Sequence, residues 1–291
     1  MAYMDADDAA PRLLAIVWAS RQQSALWVGG IAATTIVAIA LLAPILAPYN
    51  PAANDFGPHG GVASAPSATH LLGTDELGRD VLSRLMWGSR ASMEAGVLAT
   101  LLSLVLAVPA GLIAGYYRGL IDSVLMRVTD TLLAFPFLII AVGLAAILGP
   151  SLGNATLAIG IVQVPKLLRI TRGEVMALRE ENFVEAAIAD GAPDAAILFA
   201  HVLPNTFTML MVQASVIFPA SILAEATLSF LGLGVQPPTP SWGVMLTTAQ
   251  PYLYQAPWLA IFPGLAIVMT VLAFNLLAEG LHDLLDPRRP A

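Results

Sequence analysis

Apolar residues run along this chain in long blocks, separated by a few polar stretches. Six blocks, about 26–48, 94–117, 123–148, 154–173, 205–232 and 258–281, reach the roughly 20 residues that a helix needs to cross a bilayer. The longest polar stretch, about 49–93, opens with Pro48, Pro51 and Pro58. Another, about 233–257, holds Trp242 and five prolines (Pro237, Pro238, Pro240, Pro251, Pro257) but no charge. A third lies between the fourth and fifth blocks, where five acids fall between Glu180 and Asp194. The pattern predicts an all-α polytopic membrane protein with six transmembrane helices. It divides into a tail over 1–25, a first helix over 26–48, an outer loop over 49–93 with an amphipathic segment, a five-span core over 94–281 containing a polar insert at 179–204, and a tail over 282–291.

Composition agrees with the bilayer as main solvent. Hydrophobic residues make up 57 % of the 291 and charged ones only 11 %, against roughly 45–50 % and 25 % in soluble domains. Mean hydropathy is +0.77. The N-terminal MAYMDADDAAPR is acidic and lacks the basic region and cleavage site of a signal peptide, so the first block is expected to remain as a span. Orientation follows from Lys and Arg. With the N-terminus inside, one side holds Arg12, Arg21, Arg118, Arg127, Lys166, Arg169, Arg172, Arg179, Arg288 and Arg289, and the other only Arg79, Arg84 and Arg90. Ten against three places both termini in the cytoplasm, the 179–204 insert inside, and the 49–93 and 233–257 loops outside.

Several chemistries are excluded. With no cysteine there is no disulfide, thiolate metal site or thiol nucleophile. The net charge of −7 leaves no basic footprint for nucleic acid. The single lysine, Lys166, follows Pro165, so no G-x-x-x-x-G-K-[ST] phosphate loop exists and any ATP must be hydrolysed by another chain. His59, His70, His201 and His282 are too scattered for a metal-ligand pattern. The stretch 149-GPSLG-153 matches G-x-S-x-G, but it falls in a short outer turn with no strand before it, and reads as a Gly/Pro/Ser turn. The chain is therefore expected to be non-catalytic, with no cofactor or metal of its own.

The polar insert carries the most information. Residues from about Arg179 to Asp190 suit one short helix, Gly191 permits a turn, and Pro193 suits the first turn of a second helix. That second helix brings Ile197, Leu198, His201 and Val202 together, and Pro204 is expected to end it. Six alanines (Ala186, Ala187, Ala189, Ala192, Ala195, Ala196) would let the segment lie deep in a groove on a partner, although residue physics alone also allows an ordinary solvated loop.

The spacing E-A-A, three residues, Gly, nine residues, then x-x-L-P resembles the signature cytoplasmic loop of permease subunits of ABC importers. Here it comprises Glu185, Ala186, Ala187, Gly191, His201, Leu203 and Pro204, with His201–Asn205 matching the H-x-L-P-N of the peptide-type branch. The stretches 71-LLGTDELGRDVLSRL-85, 175-VMALREENFVEAA-187 and 223-LAEATLSFLGLGVQPPTPSWG-243 are similar to the C-type subunits of dipeptide, oligopeptide and nickel importers. The likeness runs from about residue 70 to the C-terminus and departs at 163-QVPK-166, where relatives commonly carry Trp before the Pro. It implies a type I importer permease fold in a bacterial cytoplasmic membrane, with coupling helices between spans four and five. Glu185, Ala186, Ala187, Gly191, Pro193, His201, Leu203 and Pro204 would dock on an ATPase. The implied partners are a homologous second permease, two ATPase domains holding ATP and Mg, an extracytoplasmic solute-binding protein, lipid, and a peptide substrate.

Other residues suggest local roles. Glu225 lies inside the fifth span, where a charge is costly, and reads equally as a pathway contact or a satisfied hydrogen bond; Ser229 and Asp130 join it as pathway or permease-interface candidates. Arg127 and Asp130, three apart, suggest a local ion pair. Gly111 and Gly115 form a G-x-x-x-G packing face. Asp75, Arg79, Asp80 and Arg84 read first as a solvated amphipathic helix on the membrane surface, and second, with Trp242, as a docking face for the binding protein. From Ala226 to Ala278 no residue is charged, which suits a carrier that leaves side-chain selection to a separate protein. An ion-coupled secondary transporter is the alternative, as is the same importer class carrying nickel or another small solute. The secondary transporter would need ionisable relays in several spans and an internal repeat.

Overall fold

The computed structural model describes residues 6–57 and 60–285, with side chains over 26–57 and 60–282. The side chains of Arg12 and Arg21, and residues Pro58, His59, Arg288 and Arg289, lie outside the described residues, as does most of the 282–291 tail. Ten α-helices follow one another: α1 (Ala6–Leu46), α2 (Val81–Tyr117), α3 (Gly119–Leu133), α4 (Phe137–Leu148), α5 (Leu152–Leu178), α6 (Asn182–Ala189), α7 (Asp194–Ala196), α8 (Leu203–Phe230), α9 (Trp242–Ala249) and α10 (Trp258–Leu285). Among the described residues β structure is limited to two isolated bridges, Asn54 to Arg79 and Thr74 to Asp80.

Hydroxyl and carboxylate caps set several helix starts. Asp80 accepts from the Ser83 N–H to begin α2, Ser151 from Asn154 to begin α5, and Ser241 from Val244 to begin α9. Pro136 breaks the third apolar block. It removes an N–H and takes an extended ψ of 131°, so α3 and α4 meet at 92° rather than forming one straight span over 123–148.

Four helical stretches are long and apolar enough to cross a membrane: Leu26–Leu46, Val81–Tyr117, Asp194–Phe230 and Trp258–His282. Taking the bent α3–α4 pair as one span gives five, against the six expected. The difference is α5, a helix of 27 residues whose hydropathy is lowered by Gln163, Lys166, Arg169 and Arg172. Lys166 sits near the middle of α5.

α2 and α5 pack most closely. A Cβ at Gly111 would stand 2.6 Å from the Thr171 Cβ, and one at Gly115 2.7 Å from the Val175 Cβ, so the G-x-x-x-G face serves packing as expected. Gly160 of α5 meets α2 in return, and the Ser103 hydroxyl donates to its carbonyl at 3.0 Å. α1 crosses α10 at Gly29 and Gly280. The outward faces remain apolar, as at Val97, Leu101 and Val105 of α2, which suits a hydrocarbon solvent.

Candidate functional site

The 179–204 insert takes a helix–turn–helix form, with three changes from expectation. α5 continues to Leu178, so the first limb is the shorter α6. Gly191 adopts φ +75° to reverse the chain, and Pro193 caps α7 rather than entering its first turn. Pro204 does not end the second limb. α7 passes through a π-helical stretch, Ile197–Val202, directly into α8, making one helix of 37 residues from Asp194 to Phe230. The Leu203 N–H reaches back to Leu198, five residues away, and this wider turn accommodates a proline that cannot donate to Ala200.

Burial sorts the insert into two faces. Val184, Ile197, Leu198 and Val202 are buried against Leu112 and Tyr116 of α2 and Val175 of α5. Glu185, Ala186, Gly191, Pro193 and Pro204 are exposed, with Ala187, His201 and Leu203 half-buried. Phe183 and Ile188 of α6 and Phe199 of the second limb add exposed apolar surface beside them.

Polar bonds fix this insert to the core. The Tyr116 hydroxyl donates to Asp194 at 3.0 Å. Arg179 donates to the Tyr116 carbonyl at 2.6 Å and lies over its ring at 5.3 Å. Arg118 pairs with Glu180 at 2.8 Å. Arg172 of α5 grips Asp122 of α3, with one contact at 2.6 Å. Asp130 pairs with Arg169 of α5, not with Arg127: the bond joins two helices instead of two turns of one. These long-range partners leave no local sequence signal, because nothing in α3 alone marks which face α5 covers.

On the opposite side, 71–80 is not a helix, and the charges there are not solvated. Asp75 accepts from the backbone of Leu77 and Arg79, and binds the Arg79 side chain at 2.7 Å and Arg84 at 3.1 Å. Arg84, 1 % exposed, also donates to the Pro51 carbonyl at 3.1 Å. Asp80 holds the Ser83 N–H and hydroxyl with one oxygen and His70 Nδ1 with the other, at 2.9 Å. Asp55 meets His70 Nε2 at 3.3 Å. Burial lowers the affinity of His70 for a proton, but the hydrogen bonds and charges of Asp80 and Asp55 outweigh it and raise its pKa above the ordinary value. Trp242 is also internal: it packs among Val81, Ile222 and Ala226, and its Nε1 donates to the Leu85 carbonyl at 3.0 Å. These five candidates (Asp75, Arg79, Asp80, Arg84 and Trp242) are thus turned into the chain, and present no outward face.

Glu225 is fully buried. It accepts from Ser92 of α2 at 2.9 Å and from Ser229 at 2.6 Å, and Ser229 accepts in turn from the Val235 N–H at 3.0 Å. Of the two readings of Glu225, this is the satisfied hydrogen-bond network. It ties α2, α8 and the start of the following loop. Among the described residues no group of three or more His, Asp or Glu side chains could hold a metal.

An apolar chain of long helices, with one polar insert anchored to the helix ends and a tightly braced loop, suits a membrane, and comparison identifies the kind of protein. Residues 107–289 match the family model of binding-protein-dependent transport system inner membrane components, and the chain belongs to that family. It is 44 % identical over 266 residues to the dipeptide transport system permease protein of Alkalihalophilus pseudofirmus, covering 90 % of this chain and 85 % of that protein. It is 45 % identical to the di/tripeptide transport system permease protein of Pseudomonas aeruginosa, over 87 % and 84 % of the two chains. To the glutathione transport system permease protein of Pectobacterium atrosepticum it is 42 % identical, over 89 % and 85 %.

Proposed function

We propose that this chain is one permease of an ATP-driven importer of short peptides, and that the insert over 179–204 couples it to the ATPase. The observation that carries this reading is the two-faced insert: its apolar face is buried against α2 and α5, while Glu185, Ala186, Gly191 and Pro193 stand exposed at its tip. A tip so anchored moves with the helix ends, so a push from below becomes a displacement of α2, α5 and α8. The family membership and the peptide-carrying names of the relatives support the substrate class. In this reading α5 and the bent α3–α4 pair complete six spans, both termini lie in the cytoplasm of a bacterial cell, and a homologous permease forms the other half of the pathway. ATP and Mg reside on two partner ATPase domains. The braced 47–80 loop faces outward, where a binding protein delivers substrate; Asp75, Arg79, Asp80 and Arg84 keep its shape rather than touching the visitor.

The test is co-purification and uptake with the neighbouring subunits. Wild type should bring down its ATPases and take up peptide only with ATP. Glu185→Lys and Gly191→Pro should lose ATPase binding, or hydrolyse ATP without uptake, while the chain remains folded. Normal uptake by both variants refutes the coupling role.

A further inference from the structure

Lys166 stands out by residue type. It is the only lysine in the chain. It lies fourteen residues past Leu152 and twelve before Leu178, hence ~21 Å and ~18 Å from the two ends of α5. Its side chain is exposed, and among the described residues it pairs with no carboxylate, whereas Arg169 and Arg172 on the next turns are both paired. With α5 as a span, as proposed above, an unpaired ammonium near its middle costs about 2.5 kcal/mol or more unless water or an anion meets it.

What it meets is a cavity. The 92° elbow between α3 and α4 leaves a space of about 290 Å³ against α5 and α8. Phe135, Phe137, Ile140 and Leu133 form its apolar wall, and Lys166 and Gln163 supply its polar groups. Gln163 is only 8 % exposed and has no hydrogen-bond partner among the described residues. An apolar hollow with one cation and one amide, both unsatisfied, fits a ligand with an apolar body and a carboxylate end.

We propose that Lys166 and this elbow cavity receive the carboxyl terminus of a peptide in transit, with Gln163 as a second donor. The inference rests on the peptide-import reading. It also accounts for a carrier with little side-chain selection: a terminal carboxylate is a charge that short peptides share whatever their side chains, so one lysine can guide many sequences.

The experiment uses the complete reconstituted transporter with its binding protein saturated by a tripeptide or by the same tripeptide as its C-terminal amide. Wild type should move the free acid faster. Lys166→Met should slow the acid by about tenfold and leave the amide unchanged, and Lys166→Arg should restore the preference. A tripeptide with a diazirine in its C-terminal side chain should crosslink to Phe135, Phe137 or Ile140 in wild type and Lys166→Arg, but not in Lys166→Met. Equal effects on acid and amide, or absence of these crosslinks in wild type, overturn the inference. So does loss of the second permease from the Lys166→Met complex, which would assign the lysine to a carboxylate of that subunit. Failure of wild type to take up any peptide with ATP is a separate result, visible before a variant is made, and it removes the import reading itself.

Discussion

The Tyr116 hydroxyl donates to the Asp194 carboxylate at 3.0 Å across 78 positions of sequence. This bond joins the last turn of α2 to the first residue of the insert's second limb, and Arg179 clasps the same tyrosine from the end of α5. Three chain segments therefore converge on one ring. Tyr116→Phe and Asp194→Ala should each cost about 1–2 kcal/mol of stability. The larger expected effect is on coupling, with less peptide moved per ATP while the ATPases stay bound. Because the two side chains share one bond, the double variant should be scarcely worse than either single one, as a double-mutant cycle on the transport-to-ATP ratio would read.

The Glu225 network predicts a different pattern. Glu225→Gln keeps a planar group that can meet both Ser92 and Ser229, whose hydroxyls rotate to suit. Glu225→Leu strands both hydroxyls in the core, at about 1–3 kcal/mol for each buried group left unpaired. Thermal unfolding in detergent should therefore place Gln near wild type and Leu far below it. A Leu variant as stable as Gln would show that the network adds nothing.

How much of this could be read from the sequence depends on the range of each interaction. The apolar blocks marked nearly every long helix, because a run of about 20 such residues has few other solutions. The tip of the insert was equally visible in Gly191 and Pro193. Pairings across distant helices were not: Asp130 has Arg127 three residues away, yet it reaches Arg169, because packing rather than helical periodicity decides which charges meet. The outer-loop cluster misled for a similar reason. Asp75 and Arg79, like Asp80 and Arg84, stand four apart as in a helix, but one Asp75 oxygen accepts from the backbone of its own turn, the other holds both arginines, and that turn folds inward. Lys166 stood out only through its rarity; the cavity beside it needs the elbow at Pro136, whose angle no local signal gives.

The α2–α5 seam should tolerate no added volume. A Cβ at Gly115 would fall 2.8 Å from the Arg172 carbonyl oxygen, which is backbone and cannot rotate away. Gly115→Val should lower stability by about 1–3 kcal/mol or more. Gly143 of α4 is the control, since nothing lies within 4 Å of its Cβ position. Gly143→Ala should be neutral or stabilising by roughly 0.5–1 kcal/mol through helix entropy. Melting temperatures of the two purified variants, measured side by side, check both.

His70 should make the outer loop sensitive to pH. Its ring is held between Asp80 and Asp55, with Tyr49 stacked at 4.9 Å, and the two carboxylates favour the imidazolium over the neutral ring. A group whose pKa rises on folding stabilises the fold fully below its unfolded value, about 6.5 for histidine. That contribution fades as pH climbs through the higher, folded pKa. The loop over 47–80 is therefore expected to be firmest in mildly acidic solution and to loosen toward alkaline pH. Limited proteolysis within 47–80, followed from pH 5.5 to 8.5, should speed up with pH in wild type. In His70→Gln, which bonds without charge, the rate should stay flat after correction for the protease's own profile. Cleavage that slows as pH rises would mean that the carboxylates do not hold the imidazolium.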